Sequence, residues 1–99
     1  MKLLNWRQAW NLTRGEMNYA EASTVKVFGS EAFVQTYRLL LEVLGPLGIV
    51  KDGSPGAILR GRIETWYRAA LVFTFGGGTN EVQRDIIATV GLQMPRAPR

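Results

Sequence analysis

Residues 75–88 read Phe75-Gly76-Gly77-Gly78-Thr79-Asn80-Glu81-Val82-Gln83-Arg84-Asp85-Ile86-Ile87-Ala88, and the three glycines are predicted to separate two apolar helices. Adjacent residues without a β-carbon can hold positive φ and let another molecule approach the backbone closely. We expect Gly78 or Thr79 to cap the second helix, with Glu81 facing the positive end of its dipole. Such a corner suits a ligand with a carbonyl oxygen or a phosphate, although a plain turn between helices has the same glycine content.

A first helix is predicted over about residues 3–14. Leu3, Trp6 and Trp10 recur there at helical spacing on one side, and Gly15 ends the pattern. Nothing before Leu3 caps this helix, so we expect the chain to begin partway along an element.

A second, long helix is predicted over about residues 19–44. Asn18 with Glu21 three positions later fits a capping box, and the run Gly45-Pro46-Leu47-Gly48 ends the helix. Its apolar stripe is predicted to consist of Val25, Phe28, Ala32, Leu40 and Leu44.

A third helix is predicted over about residues 58–75, with Glu64 and Arg68 as a surface pair one turn apart. A fourth is predicted over about residues 79–90, ended by Gly91. No alternating strand pattern and no internal repeat occurs. The pattern therefore predicts one all-α domain, an antiparallel bundle of about four helices that is incomplete at its N-terminus.

The composition excludes several kinds of chemistry. Hydrophobic residues at 46% and charged residues at 20% describe an ordinary globular chain. Cysteine and histidine are absent, which excludes disulfides, thiol catalysis, Ser-His-Asp chemistry and the common zinc sites. No apolar run approaches a membrane span or a signal-peptide core, so we expect a cytoplasmic protein without membrane contact.

The net charge of +4 raises the question of nucleic-acid binding. Arg96 and Arg99 lie in a tail that also contains Pro95 and Pro98, and the remaining basic residues are scattered among acidic ones. Nucleic-acid-binding proteins usually cluster their positive charge on one face. A solvated surface is therefore favoured over nucleic-acid binding.

Three segments, in the correct order, resemble the acyl-CoA dehydrogenase family, flavoenzymes that desaturate the Cα–Cβ bond of acyl-CoA thioesters. The run Gly77 to Ala88 looks very like the family's closing motif, and Arg68 onward resembles the Arg-Asp-Ala stretch leading into its Glu-Gly-Thr or Gly-Gly-Thr corner. The segment from residue 42 to 48 is similar to a Gln-x-Phe-Gly-Gly-x-Gly segment. Residues 22–26 are similar to its Ala-Ser-x-x-Lys helix start. The resemblance extends over nearly the whole chain.

The resemblance implies FAD as cofactor and acyl-CoA as substrate. It makes Gly77 the residue whose backbone N–H polarises the thioester carbonyl, as an oxyanion-type donor does. By the same resemblance Thr79 and Glu81 contact the flavin, although simple capping by Thr79 is an equally open and compatible role. In the family, the segment that corresponds to Glu42, Gly45 and Pro46 is where the second subunit touches the pyrophosphate and adenosine part of the flavin.

The catalytic base is expected outside this chain. Many family members carry a catalytic glutamate at the position of Gly77, and glycine has no side chain. Other branches carry that base on an earlier helix, which would precede Leu3. Glu81 and Glu64 are disfavoured as bases because the first lies in a first helical turn and the second pairs with Arg68.

Other departures concern cofactor contacts. Glu42 stands where the family usually has glutamine, and a carboxylate near flavin phosphates should weaken binding unless a cation intervenes. Pro46 replaces a glycine whose amide could donate, and Ala69 replaces the aspartate of Arg-Asp-Ala.

Two functions therefore compete. The first is the C-terminal domain, or a truncated or separately encoded remnant of it, of an FAD-dependent acyl-CoA dehydrogenase of lipid metabolism, inactive alone and assembled as a homo- or hetero-oligomer. The second is a non-catalytic helical interaction module that pairs with a dehydrogenase subunit. Bound flavin distinguishes the two.

Overall fold

A computed structural model describes residues 1–96 of the chain, so the predicted tail residues Pro98 and Arg99 lie outside the described part. Those residues contain no strand, which confirms the predicted all-α class. The four α-helices are α1 Lys2–Thr13, α2 Tyr19–Leu44, α3 Arg62–Val72 and α4 Asn80–Ile86. Two short 3₁₀ segments, Gly45–Ile49 and Ile58–Gly61, and a π-helical segment, Ile87–Gly91, complete the secondary structure of residues 1–96.

The start of α2 was predicted correctly from its cap. The Oδ1 atom of Asn18 accepts hydrogen bonds from the backbone N–H groups of Ala20 at 3.0 Å and Glu21 at 3.2 Å. Glu21 does not complete a capping box; its carboxylate accepts hydrogen bonds from the side chains of Arg7 and Asn11 instead. Glu21 therefore joins α2 to α1, because both of those partners lie on α1.

The first helix has its predicted bounds within one residue, but its aromatic side is exposed. Leu3, Trp6 and Trp10 retain 78%, 70% and 64% of their accessible surface. The half-buried side of α1 instead includes Leu4 and Asn11. The predicted row of large apolar residues therefore remains on the surface of the chain.

The buried side of α2 consists of small residues. Ala20, Ser23 and Val27 are buried, whereas Phe28 from the predicted stripe is half exposed. A β-carbon placed on Gly91 would lie only 2.9 Å from the β-carbon of Ala20. Small side chains are buried here because they let backbone segments approach more closely than leucine or phenylalanine would.

The described residues form two compact units, one from residues 1–29 and 77–96 and the other from residues 30–76. In the second unit, α3 begins at Arg62 rather than near residue 58, which corrects the prediction. Leu59 and Arg60 have φ of 51° and 55°, a left-handed conformation that α-helix cannot accommodate. Gly61 follows with φ of 63°, and a β-carbon there would lie 2.6 Å from the backbone nitrogen of Asp52.

The ends of α3 and α4 also differ from the prediction. After Val72 the chain continues in tight turns, in which the N–H of Phe75 bonds to the carbonyl of Val72 at 3.3 Å. α4 ends at Ile86 and continues to Gly91 with π geometry, so the predicted extent is correct but the helix type changes. Among residues 1–96, no helix combines the length and apolarity needed to cross a membrane.

Candidate functional site

Residues 77–80, here called the glycine corner, leave one backbone donor exposed. Gly77 and Gly78 have φ of 73° and 102°, which glycine adopts without the steric penalty of other residues. Gly77 is exposed, and a β-carbon there would meet no atom within 4 Å. Within residues 1–96 its N–H makes no hydrogen bond, so it can donate to a ligand oxygen.

The carbonyl groups of the glycine corner are held by side chains. Gln83 Nε2 donates to the carbonyl oxygen of Gly77 at 3.2 Å. Lys26 Nζ donates to the carbonyl oxygen of Gly78 at 2.7 Å and to Oδ1 of Asn80 at 2.6 Å. Asn80 is only 4% exposed, so these contacts fix the carboxyl side of the corner against the buried part of its unit.

Thr79 is the N-cap of α4, one of the two caps that the sequence allowed. Its Oγ1 accepts a hydrogen bond from the backbone N–H of Val82 at 3.3 Å, and its extended backbone (φ −64°, ψ 156°) is typical of an N-cap. Gly78 lies one residue too early for this position. The capping role of Thr79 is therefore satisfied within the chain.

Glu81 stands in the first turn of α4, as predicted, and is ionised at neutral pH. Its pKa is lowered chiefly by a hydrogen bond from its own backbone N–H and next by one from the Thr79 hydroxyl. The positive charges of Arg84 and Lys26 lower the pKa further. A carboxylate stabilised in this way is a weak proton acceptor, which disfavours Glu81 as a catalytic base.

Sequence reasoning missed the role of Lys26. This half-buried lysine reaches residues 52 and 54 positions later in the chain. The main signal was the run Ala22-Ser23-Thr24-Val25-Lys26, which the family resemblance singled out without indicating what the lysine does. Its position beside the apolar residues Val25 and Val27 was a second, weaker hint.

A second predicted group lies at the end of α2, in the unit of residues 30–76. Glu42 Oε1 accepts from Arg38 Nε at 3.1 Å, so a cation does accompany this carboxylate. Gly45 has φ of 57° with open space where a β-carbon would be, and Pro46 has no N–H to donate. Arg38 thus neutralises the Glu42 carboxylate, and Gly45 leaves its backbone open to close approach.

The remaining predicted carboxylate is paired. Glu64 and Arg68 form the expected pair, and the contact is bidentate, with Nε to Oε1 at 2.5 Å and Nη2 to Oε2 at 3.2 Å. This pairing agrees with the view that Glu64 is not a free base. In the described part of the chain, no cluster of acidic side chains is arranged to hold a metal ion.

The chain matches known proteins over most of its length. Residues 1–92 match the family described as acyl-CoA dehydrogenase, C-terminal domain. Acyl-CoA dehydrogenase FadE26 of Mycobacterium tuberculosis is 52% identical over 102 aligned positions, which cover 100% of this chain and 26% of that protein. Acyl-CoA dehydrogenase FadE29 of the same organism is 41% identical, covering 99% of this chain and 24% of that protein.

Solved structures also include chains that are similar to this one. The ChsE4-ChsE5 complex from Mycobacterium tuberculosis contains a chain with a TM-score of 0.87 and 54% identity, covering 97% of this chain and 25% of that one. A structure described as the Tcur3481-Tcur3483 steroid ACAD has a TM-score of 0.90 and 44% identity, with the same coverage of 97% and 25%. This chain thus spans about a quarter of the length of the relatives that it matches.

Proposed function

This chain belongs to the acyl-CoA dehydrogenase family, and we propose that it serves as the C-terminal domain of an FAD-dependent enzyme that desaturates acyl-CoA thioesters. The observation that carries the proposal is the exposed Gly77 N–H, which has no hydrogen-bond partner within residues 1–96 and lies in a corner braced by other side chains. A backbone N–H in a rigid setting stabilises an oxyanion without reorganising during the reaction.

Gly77 acts on the substrate carbonyl. Removal of a proton α to a thioester places negative charge on the carbonyl oxygen, and the Gly77 N–H donates to that oxygen. The base that takes the proton comes from outside this chain, since Gly77 has no side chain and neither Glu64 nor Glu81 is suited to the role. FAD, when bound, supplies the hydride acceptor for the β-carbon.

Cofactor contacts come from the end of α2 and from the start of α4. Arg38 and Gly45 accommodate the pyrophosphate and adenosine part, with Glu42 neutralised by Arg38 and Pro46 shaping the turn. Thr79 and Glu81 lie close to Gly77 in sequence and contact the flavin, while Thr79 keeps its capping role. The two groups are proposed as separate contacts and are not assigned to one pocket.

The exposed apolar side of α1 is proposed as an assembly surface. Leu3, Trp6 and Trp10 place three large side chains in water, which a surface that remains exposed rarely does. One solved relative is described as the ChsE4-ChsE5 complex and another is named for two proteins, Tcur3481 and Tcur3483, which supports assembly with a second dehydrogenase subunit. We propose that this surface contributes to the oligomer.

The proposal is tested on the flavoenzyme purified from its host through a carboxyl-terminal tag on this chain. We expect bound flavin, seen as absorbance near 450 nm, and reduction of an electron-acceptor dye that depends on acyl-CoA. Steroid-derived acyl-CoA thioesters are the first to assay, because one relative is described as a steroid ACAD. The isolated chain should not reduce the dye. Dye reduction by the isolated chain would refute the proposal that the catalytic base comes from outside it.

The competing function is a non-catalytic interaction module. The exposed side of α1 and the lack of a carboxylate at Gly77 favour it. This function predicts a stable complex with a dehydrogenase subunit in which this chain contributes nothing to flavin binding. Unchanged flavin content after substitution of Arg38 and of Thr79 would select this second function.

A further inference from the structure

One ammonium group holds two oxygen atoms of the glycine corner. Lys26 Nζ lies 2.7 Å from the carbonyl oxygen of Gly78 and 2.6 Å from Oδ1 of Asn80. Both distances are those of short, charge-assisted hydrogen bonds. Asn80 is the buried end of the corner, and Lys26 ties it to α2.

The corner needs such an external support because of its own composition. Gly77 and Gly78 both have positive φ, and glycine has the widest backbone freedom of any residue. The Thr79 cap orders the start of α4 but does not reach the peptide planes on its amino side. Gln83 holds the Gly77 carbonyl, and Lys26 holds the Gly78 carbonyl, so each glycine peptide is held by one side chain.

We propose that Lys26 is a positioning residue that orients the Gly77 N–H toward the substrate carbonyl, an inference that rests on the proposed function. Lys26 does not touch the substrate. Its ammonium holds the Gly78–Thr79 peptide, and Gln83 holds the Gly77–Gly78 peptide. Together these contacts limit the directions in which the Gly77 N–H, carried by the preceding peptide, points. When the ammonium is lost, the Gly77 N–H is still present but is no longer held in the direction of the substrate carbonyl.

Misorientation of the Gly77 N–H should lower kcat more than it weakens binding of the acyl-CoA substrate. A misplacement of about 1 Å in a reacting group can reduce a rate on the order of 10²-fold. An acyl-CoA thioester is a large molecule with many atoms besides the carbonyl available for binding, so we expect its KM to depend little on one hydrogen bond. We therefore expect Lys26→Met to lower kcat of the flavoenzyme at least tenfold while KM changes less than threefold, whereas a general loss of folding would lower the amount of active enzyme.

The structural part of the inference is tested on the full chain by NMR. Lys26→Met keeps the aliphatic stem and removes the ammonium, and Lys51→Met, which changes an exposed lysine in the other unit, is the matched control. We expect the amide signals of Gly77 and Gly78 to shift or broaden in Lys26→Met and to stay in place in Lys51→Met. Unchanged glycine signals in Lys26→Met would overturn the inference.

A chemical rescue separates charge from packing. The chain contains no cysteine, so Lys26→Cys introduces one alkylation site. Reaction with 2-bromoethylamine restores an ammonium at nearly the length of lysine, and a propyl group has the same shape without the charge. We expect the aminoethyl form to recover the glycine signals and the propyl form to fail. Equal behaviour of the two forms would overturn the inference even if Lys26→Met does not fold.

The enzymatic part uses the tagged flavoenzyme. Lys26→Arg should recover part of the lost kcat, because it keeps a positive donor, and Lys51→Met should have the wild-type kcat. Altered glycine signals with unchanged kcat in Lys26→Met would show that the lysine supports the fold only, which overturns the positioning role. An inactive wild-type flavoenzyme would instead refute the proposed function, so the two failures are distinguishable.

Discussion

A β-carbon placed on Gly91 would lie 2.9 Å from the β-carbon of Ala20, closer than such atoms pack in proteins. The π-helical segment and the start of α2 can therefore approach each other only because residue 91 is glycine. We predict that Gly91→Ala lowers the free energy of unfolding by about 1–3 kcal/mol, the usual cost of overpacking. Urea unfolding followed by circular dichroism measures this change.

A second substitution tests the cause of that loss. Ala20→Gly removes the opposing β-carbon, so the double variant should be more stable than the sum of the two single effects predicts. Additive effects within about 0.3 kcal/mol would mean that the two positions do not interact.

Gly77 in the glycine corner can be compared with Gly15, which lies outside it, to separate backbone strain from function. Gly15 and Gly77 have φ of 75° and 73°, and a β-carbon at either would meet nothing within 4 Å. We predict that Gly15→Ala and Gly77→Ala each lower the free energy of unfolding by about 1–2 kcal/mol through backbone strain. Only Gly77→Ala should lower turnover of the flavoenzyme; an equal loss of turnover in both variants would argue against a role for the Gly77 N–H.

The cap of α4 should be sensitive to its hydroxyl group. Thr79→Ala removes the acceptor of the Val82 N–H and should lower the free energy of unfolding by about 1 kcal/mol. Thr79→Ser keeps the hydroxyl and should retain most of that stability. Thermal unfolding of both variants provides the comparison. A loss in Thr79→Ser as large as in Thr79→Ala would show that the methyl group, not the cap, is responsible.

Ionisation of Glu81 makes the stability of the folded chain depend on pH in the acid range. Its pKa is lowered from the ordinary value of 4.5, first by its own backbone N–H and then by the Thr79 hydroxyl, so the folded chain binds this proton less tightly than the unfolded chain. The stability contribution is therefore fully present above pH 4.5 and is lost as pH falls through the folded-state pKa. The melting temperature of Glu81→Gln should lie below wild type at pH 7 and converge with it in acid; a constant difference would contradict this.

The ion pair at the end of α2 should govern flavin affinity. Arg38 Nε lies 3.1 Å from Glu42 Oε1, so Arg38→Gln leaves an uncompensated carboxylate beside the proposed phosphate contact. We predict roughly tenfold weaker FAD binding by the flavoenzyme, which corresponds to about 1.4 kcal/mol. Glu42→Gln should bind FAD as tightly as wild type or more tightly. Titration of the apoenzyme followed by flavin fluorescence measures both.

Where local signals exist, the sequence predicted the fold well. The bounds of α2 followed from the Asn18 cap and from Gly45-Pro46, which act within a few residues of the helix ends. The predicted start of α3 was wrong because Leu59 and Arg60 adopt left-handed φ, a conformation that neither side chain favours. Helical periodicity alone could not reveal this.

The candidate site was predicted only in part for a similar reason. Gly77, Thr79 and Glu81 lie close together in sequence, so the local rules for turns and helix caps apply to them. Lys26 lies 52 residues before its partner Gly78, and no local rule predicts a contact across such a separation. The exposure of Trp6 could not be predicted either, because helical spacing shows which residues share one side of a helix but not whether that side is covered.

The distance in sequence between Lys26 and Gly78 has a consequence for protein engineering. Transplanting residues 77–80 alone into a foreign helical scaffold would transfer the flexible loop without the ammonium that gives it shape. A portable version of this corner must include a donor at the position of Lys26 on an adjacent helix, so the smallest transferable part is a pair of helices rather than a peptide.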